Sequence, residues 1–359
     1  MDVSLEHLLS QFEIIGEPMC CILHGNGHIN ETYRVECDNG RWYTLQRINT
    51  DVFNDPVSLM RNVQAVTAHI ALKVKNPREV LCLIPTHDDQ AYYQNADGSY
   101  WRMFAFVRDS VCLEHVESAQ QFYESAVAFG RFQNRLADFP AEQLVETIPH
   151  FHDTPTRFSA LLQAVSQDVC GRSSAAQAEI DFACVRESYC HTFTDLQVRG
   201  ELPLRVTHND TKINNVLFDE QTMRGLCVID LDTVMPGLAM NDFGDAIRFG
   251  ANTAEEDATD PSSVCINLAL YEAYVNGYLS TCGASLTPLE RELLPYGAKM
   301  MTLECGMRFL SDHINGDTYF KIHRTNQNLD RARSQFALVR DMERHWDDMR
   351  RITANAASL

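Results

Sequence analysis

The sequence lacks the patterns of disulfide-stabilised, membrane-spanning and nucleic-acid-binding proteins. Its twelve cysteines form no Cys-x-x-Cys pair, and no apolar run is typical of a membrane helix or a signal peptide. We therefore expect a reduced, cytoplasmic protein whose cysteines are small core residues. The formal net charge of −19 argues against nucleic acid or an anionic membrane surface as a partner. Internal repeats and low-complexity segments are also absent.

What the chain does have is a change of pattern near residue 106. Segments 32–37 and 41–48 alternate as strands around a turn, and a further strand is predicted near 100–107. The only helix predicted before residue 106 covers about 56–72. After residue 107 the periodicity is helical, and it ends in one predicted C-terminal helix with an apolar stripe over 336–349. We therefore predict an α+β fold of two lobes, a small antiparallel-sheet lobe (1–106) and a larger, mainly helical lobe (107–359).

The most informative segment is 206–218, followed by the apolar run 226–229. Asp210 lies just past a β-branched strand end, Lys212 and Asn215 follow in the same loop, and an antiparallel return would bring Asp230 beside them. Phosphoryl transfer needs a carboxylate that accepts the nucleophile's proton, a cation on the migrating phosphoryl group and oxygen ligands for Mg²⁺. We assign these roles to Asp210, to Lys212, and to Asn215 with Asp230, respectively. A plain strand-loop-strand with polar turn residues is the simpler alternative.

Nearby polar residues receive other interpretations. His208 is predicted to be a packed loop residue, because the loop already contains a base. Asp242 begins an Asp-Phe-Gly triplet, but it follows Pro236-Gly237, which we do not expect to pair with a strand of the catalytic loop. The loop resembles that of the protein-kinase-like fold, and this resemblance implies that Asp242 accepts backbone N–H groups of the loop. Asp232 stays open as a further metal ligand. The run 150–153 is interpreted as a helix start rather than as a metal site.

The loop 208–215 resembles that of the aminoglycoside phosphotransferase and choline kinase branch of the protein-kinase-like fold. Further segments resemble the N-acetylhexosamine 1-kinase family, and together they extend from near residue 25 to about 320: they are 25–33, 59–63, 150–155, 205–212, 229–233, 242–251 and 304–310. The resemblance implies a kinase that uses ATP and Mg²⁺ to phosphorylate the anomeric hydroxyl of N-acetylglucosamine or N-acetylgalactosamine. A kinase of another small alcohol, such as choline, homoserine or an aminoglycoside, stays open, as does a non-catalytic binding protein.

A phosphate-covering loop is predicted at 25–30, immediately before the first predicted strand. Gly25 and Gly27 would let backbone N–H groups approach phosphate closely, and His28 and Asn30 complete the candidate set. Two glycines and an asparagine are equally typical of a tight turn, so the position before the strand pair carries the interpretation.

The sheet lobe departs from the protein-kinase pattern at its phosphate-binding lysine. Gln46 or Arg47 occupies that place on the second strand, and the following helix region, 56–76, contains no acidic residue that could pair with it. Either Arg47 would contact the phosphates or Gln46 would hydrogen-bond to them. Resemblance to the fold also implies that Ala105 to Val107 form the hinge whose backbone meets adenine.

The acceptor-sugar side is inferred from the resemblance alone. It implies Arg308 and Tyr319 as contacts of the sugar, with Asp245 as a weaker candidate. Arg308 lies in an otherwise apolar helical segment, where a guanidinium needs polar partners, and a structural ion pair is the alternative explanation.

Overall fold

The first part of the chain folds as a lobe built on one antiparallel sheet. The computed structural model describes residues 3–25 and 29–358. A short helix, α1 (Val3–Leu9), precedes five strands that lie in the order β1-β2-β3-β5-β4, and α2 (Pro56–Ala71) connects β3 to the later strands. The strands are β1 (Pro18–Leu23), β2 (Glu31–Cys37), β3 (Trp42–Ile48), β4 (Tyr93–Gln94) and β5 (Tyr100–Ala105).

Alternation along β3 and β5 gives this sheet two different faces. Leu45 and Met103 are fully buried in a core with α1, whereas Gln46 and Arg102, the register partners one residue away, lie on the opposite face. The predicted hairpin between β2 and β3 is confirmed, and Gly40 provides the positive φ of +78° at its turn. The edge strand β1 was not predicted.

The second part is mainly helical. Its longest helix, α10 (Pro288–Ile314), begins with a capping box in which Thr287 and Glu290 bond to each other's backbone N–H groups. The other helices are α3 (Ala119–Arg135), α4 (Thr154–Gln167), α5 (Gln177–Cys184), α6 (Glu187–Cys190), α7 (Thr192–Val198), α8 (Ala239–Gly250), α9 (Leu268–Cys282), α11 (Gln327–Arg344) and α12 (Trp346–Ala357). The predicted α+β fold of a sheet lobe and a helical lobe is confirmed, and the boundary at residue 106 stays a prediction.

Two small sheets hold the ends of the candidate loop. β6 (Ser110–Cys112), β8 (Val216–Asp219) and β9 (Gly225–Val228) form one antiparallel sheet, which contains the predicted hairpin. β7 (Arg205–Thr207) pairs with β10 (Met235–Gly237) in the other. Our expectation that 236–237 would not pair with a strand of the catalytic loop is therefore wrong.

The helix α8 crosses α10 at unusually short range. A Cβ built on Gly244 of α8 would lie 2.2 Å from the Gly297 carbonyl oxygen, and one on Gly297 would lie 2.2 Å from that of Met240. Only glycine allows this approach, so the two glycines fix where α8 lies.

The structure corrects the expectations for the C-terminal helix and for the cysteines. The apolar stripe over 336–349 belongs to two helices, because the chain turns at His345 between α11 and α12. All twelve cysteines are free, but only five of them are buried and three are exposed, so their description as core residues was too broad. No helix in the described part of the chain is both long and apolar enough to cross a membrane.

Candidate active site

The loop after β7 is held by two carboxylates of α8. Asp242 accepts hydrogen bonds from the backbone N–H groups of His208 (2.9 Å) and Asn209 (2.7 Å). Asp245 accepts from the N–H of Thr211 at 2.9 Å. Burial raises the pKa of Asp242 to about 6, although His208 and the two N–H donors oppose the rise. The structure thus gives Asp242 the bracing position expected from the sequence.

Asp210 lies between an ammonium and an amide. Lys212 Nζ is 2.9 Å from its Oδ1, and Asn215 Nδ2 donates to its Oδ2 at 2.9 Å. Burial alone would raise the pKa of Asp210, but Lys212, His208 and Asn215 outweigh it and hold that pKa below its ordinary value. Asp210 itself raises the pKa of Lys212. A deprotonated carboxylate beside a cation is the state that a proton acceptor for a substrate hydroxyl needs.

Asn215 and Asp230 bring oxygen atoms to the same place. The N–H of Ile229 donates to the Asn215 carbonyl at 2.9 Å, which joins the loop to the end of β9. Because Asn215 Nδ2 is used by Asp210, its Oδ1 is left without a partner in the described chain. The carboxylate of Asp230 likewise accepts no hydrogen bond from residues 3–25 or 29–358, and Asp230 has the left-handed φ of +57°.

Asp230 is an exposed residue, yet neighbouring protein removes much of the water around its carboxylate. Desolvation by that protein and repulsion from Asp232 and Asp210 raise its pKa to about 6, while Arg102 and His208 pull the pKa down. Free carboxylate and amide oxygens are the donors that Mg²⁺ prefers. The donor set therefore fits a hard divalent cation.

His208 is packed as the sequence suggested. Its ring is fully buried between Phe129 and Phe132, with ring centroids 5.4 and 5.9 Å away. Nε2 donates to the Ile229 carbonyl at 2.8 Å and Nδ1 accepts the Asp210 N–H at 3.2 Å. Both ring nitrogens are used, so His208 shapes the loop and has no nitrogen free for proton transfer.

The sheet-lobe candidates occupy different environments. Gln46 lies beneath the sheet and bonds to Thr32 and Arg102, whereas the side chain of Arg47 is 46% exposed and lies 3.7 Å from exposed Glu31. Gln46, and not Arg47, is therefore on the face toward the helical lobe.

Of the phosphate-loop candidates, two are described. Gly25 has a φ of +81° with open space around it, which suits close backbone approach to a ligand. Asn30 donates to Asp232 at 2.6 Å, and its Oδ1 accepts the N–H of Asn49. Gly27 and His28 lie outside the described residues.

The predicted hinge retains one free backbone donor. The N–H of Ala105 donates to the Cys82 carbonyl at 2.8 Å and that of Phe106 to the Trp42 carbonyl at 3.0 Å. No described residue accepts the N–H of Val107. Val107 is thus the residue of this segment with a donor left for a ligand.

Arg308, a predicted contact of the sugar, lies on α10 near two aromatic rings. Its guanidinium carbon is 4.9 Å from the Phe151 ring centroid and 5.6 Å from that of Phe320, and no described residue accepts a hydrogen bond from it. The structural ion pair considered as an alternative is therefore not formed. Tyr319 is 62% exposed and its ring packs edge-on against Phe320, 4.8 Å between centroids.

The loop that carries Tyr319 is organised by a carboxylate that sequence reasoning missed. Buried Asp312 accepts the consecutive N–H groups of Thr318, Tyr319 and Phe320 at 2.8 to 2.9 Å. Asp245, in contrast, has both oxygens engaged, one by Thr211 and the other by Arg248 at 2.9 to 3.1 Å. Asp245 thus braces the loop, and its role as a sugar contact stays a prediction.

Comparison with known proteins agrees with this geometry. Residues 21–288 match the model of the phosphotransferase enzyme family. The chain belongs to that family. It is a phosphotransferase with a protein-kinase-like fold.

Solved structures with the same fold include several small-molecule kinases. A microcompartment-associated aminopropanol kinase is 16% identical with a TM-score of 0.60, and the match covers 97% of this chain and 98% of that one. An aminoglycoside phosphotransferase from Alicyclobacillus acidocaldarius is 14% identical with a TM-score of 0.60, covering 98% and 96%. A choline kinase from Cryptosporidium parvum is 12% identical with a TM-score of 0.55, covering 97% and 95%. At such identities the likeness is one of fold.

Proposed function

We propose that this phosphotransferase uses ATP and Mg²⁺ to phosphorylate the anomeric hydroxyl of N-acetylglucosamine or N-acetylgalactosamine, giving the sugar 1-phosphate and ADP. The observation that carries the kinase chemistry is the position of Asp210 between Lys212 and Asn215, next to the unpartnered carboxylate of Asp230. A base, a cation and oxygen ligands are the components that phosphoryl transfer requires.

Each residue has a separate task in this reaction. Asp210 orients the sugar hydroxyl and accepts its proton, and Lys212 offsets charge on the transferring phosphoryl group. Asn215 Oδ1 and the Asp230 carboxylate would hold Mg²⁺, which when bound offsets charge on the phosphate oxygens. On the nucleotide side, the backbone near Gly25 and the N–H of Val107 are the groups proposed for phosphate and adenine.

The acceptor side favours a neutral or anionic ligand over a cationic one. The guanidinium of Arg308, which has no hydrogen-bond partner among the described residues, adds positive charge near Arg157. Burial and this charge both lower the pKa of Arg157. The nearby carboxylate of Glu304 is fully buried and bonded to His152 and Thr154. A quaternary ammonium or a polyamine would meet positive charge here, whereas hydroxyl and acetamido oxygens accept hydrogen bonds from a guanidinium.

The test is a substrate panel with phosphorus NMR of the product. Purified protein with ATP and Mg²⁺ is offered N-acetylhexosamines, plain hexoses, choline, homoserine and aminoglycosides. We expect turnover of the N-acetylhexosamines with a 1-phosphate product, and weaker turnover of plain hexoses, because a site that hydrogen-bonds a polar group discriminates against substrates that lack it. A 6-phosphate, or turnover confined to choline or aminoglycosides, would refute the substrate and leave the kinase chemistry standing.

A pair of variants localises the acceptor. Arg308→Met should raise KM for the sugar by about tenfold or more while KM for ATP stays within about twofold, because a hydrogen bond from a charged group is lost on one side only. The matched control is Arg340→Met on α11, whose guanidinium carbon lies 5.0 Å from the Phe182 ring centroid. The control should leave both KM values unchanged.

A further inference from the structure

An ion pair joins the two lobes directly at the candidate metal site. Arg102, in the middle of β5, bonds through Nη1 to Oδ1 of Asp232, which lies two residues after Asp230 in the same short turn. Both side chains are only 2% exposed. Burying two charged side chains costs free energy of desolvation, and this cost is offset only when both charges are fully paired.

Each member of the pair is held by further hydrogen bonds from the sheet lobe. Gln46 Oε1 accepts from Arg102 Nε at 3.0 Å, and Gln46 Nε2 donates in turn to Thr32 at 3.0 Å. Asn30 donates to the second oxygen of Asp232 at 2.6 Å. Both oxygens of Asp232 are thus occupied by donors from the other lobe, so it is a poor candidate for the additional metal ligand considered above.

Among its described residues, the sheet lobe lacks the ion pair between a strand lysine and a helix glutamate that protein kinases have at this site. In protein kinases a strand lysine and a helix glutamate must pair before the site works. Here Gln46 stands at the strand position and α2 has no acidic residue. Instead, buried Asn62 of α2 donates to the carbonyls of Val145 (2.7 Å) and Val234 (3.0 Å), which ties the helix to the helical lobe without charge.

We propose that the ion pair of Arg102 and Asp232 replaces that of the lysine and glutamate in holding the two lobes together at the metal site. Arg102 holds the metal-binding turn against the phosphate side of the cleft and offsets one of three clustered carboxylates, those of Asp210, Asp230 and Asp232. This inference rests on the proposed nucleotide and metal site, but not on the identity of the sugar.

If the pair acts through charge, removing either partner should change the affinities for a divalent cation and for metal-free nucleotide in opposite directions. A pair that acts only through packing would not produce this result. Without Arg102, the uncompensated Asp232 would add negative charge beside Asp230, so a divalent cation would bind more tightly and a nucleotide without metal more weakly. Removing the charge of Asp232 instead would leave Arg102 unpaired and reverse both effects. A pair that only holds the lobes together would weaken both ligands in both variants.

The experiment uses Arg102→Gln, Asp232→Asn and the double variant. Binding of Mn²⁺ to the nucleotide-free protein is followed by electron paramagnetic resonance, and binding of ADP without metal by calorimetry. We expect Arg102→Gln to bind Mn²⁺ about tenfold more tightly and ADP about tenfold more weakly, the size of one charge-assisted interaction. Asp232→Asn should show the opposite signs, and the double variant should return close to wild type.

Two further variants separate charge from folding. Gln46→Arg combined with Arg102→Gln moves the guanidinium to the register partner on the adjacent strand and should restore both affinities. Arg186→Gln breaks a remote pair of the helical lobe, Arg186 to Glu343 at 2.6 Å, and should lower the melting temperature without changing either affinity.

The outcomes are distinct. If both single variants lose melting temperature and bind Mn²⁺ and ADP unchanged, or both more weakly, the pair is only a packing contact and the proposal fails. Because neither ligand requires an acceptor, a wrong sugar assignment would leave these results intact. If the wild-type protein binds no ADP, the kinase proposal fails. The direction in which each variant changes the Mn²⁺ affinity then still tests the role of the pair.

Discussion

Some site residues could be predicted from their spacing along the chain. Others could not, because their partners are brought near only by the pairing of distant strands. Asp210, Lys212 and Asn215 lie in one loop, so their spacing alone predicted that they would meet, and their separation in the structure agrees. Arg102 was missed because its partners Gln46 and Asp232 come from other strands and turns, 56 and 130 residues away. A signal was present, since Arg102 interrupts the otherwise apolar and aromatic strand β5.

The base is tested by Asp210→Asn. The change keeps the shape of the side chain and removes its ability to accept a proton, so we expect kcat to fall by about 10²–10⁴. Binding of ADP should stay within about twofold, because the proposed role of Asp210 is a contact with the acceptor hydroxyl and not with the adenine or ribose. Near-normal turnover in a folded variant would remove Asp210 from the role of base.

The pKa of Asp230 makes metal binding dependent on pH in a stated window. In the metal-free protein this pKa is raised from 3.8 to about 6. The folded state therefore holds the proton more tightly than the unfolded state, and the contribution of Asp230 to the free energy of unfolding falls as pH rises from about 4 to about 6. A metal must displace that proton below about pH 6 and need not do so above it.

We expect the rise in melting temperature caused by Mn²⁺ to be constant above about pH 7 and to fade as pH drops below about 6, with apparent affinity about tenfold lower at pH 5. Differential scanning fluorimetry across this range measures the effect. Asp230→Asn should abolish the Mn²⁺ shift at every pH. An equal Mn²⁺ shift at pH 5 and pH 7.5 in the wild-type protein would contradict the assignment of Asp230 as a ligand.

Among the elements, α8 links the fold to the chemistry. Its first turns carry Asp242 and Asp245, which hold the loop of Asp210 through three backbone N–H groups. The brace by Asp242 was expected because an equivalent Asp has this role in the fold that the sequence resembles. It did not predict the pairing of β10 with β7, because Pro236 and Gly237 are poor strand formers and the pairing is set by tertiary context.

The crossing of α8 with α10 is expected to fix that brace. Gly297→Ala brings a Cβ to 2.2 Å from the Met240 carbonyl oxygen, a backbone atom that cannot move without the helix. Alanine gains about 1 kcal/mol in helix propensity, but overpacking against backbone costs roughly 3 kcal/mol, so we expect a net loss of about 2 kcal/mol. Urea denaturation measures the loss, and kcat should fall with it because Asp242 is displaced.

Gly306→Ala on the same helix is the matched control. The nearest atom there, 2.5 Å from the added Cβ, belongs to the buried ring of Phe336 on α11 and not to α8. Overpacking against this ring should cost about 1–3 kcal/mol of stability, but we expect normal kcat because α8 is not displaced. Equal losses of kcat in the two variants would show that the α8–α10 crossing has no special part in positioning the loop.

The overall fold was predicted better than its single elements. Long periodic segments specify whether an element is a helix or a strand, and an error at one element does not change the two-lobed pattern. The errors lie where the chain depends on distant partners. β6 was missed because its three residues form a strand only against β8. The two C-terminal helices were joined because an apolar stripe continues across the turn at His345.

Net charge is a property of the whole molecule and predicts how nucleotide association depends on salt. The chain carries 49 acidic and 30 basic residues. At the site, Lys212 offsets the carboxylate of Asp210, and Arg102 partly offsets that of Asp230. Long-range repulsion should therefore slow the approach of an anionic nucleotide at low ionic strength, where the Debye length is about 30 Å, and less so near 0.1 M salt, where it is about 10 Å.

We expect the association rate constant of metal-free ADP, measured by stopped flow with a fluorescent analogue, to rise roughly two- to threefold between about 0.01 and 0.1 M salt. The rate for a neutral N-acetylhexosamine should not change, which controls for effects of salt on the fold. Addition of Mg²⁺ should shrink the salt effect, because the complex carries less negative charge. A rate that falls with salt would show that a local positive field around Lys212, Arg308 and Arg157 outweighs the net charge of −19.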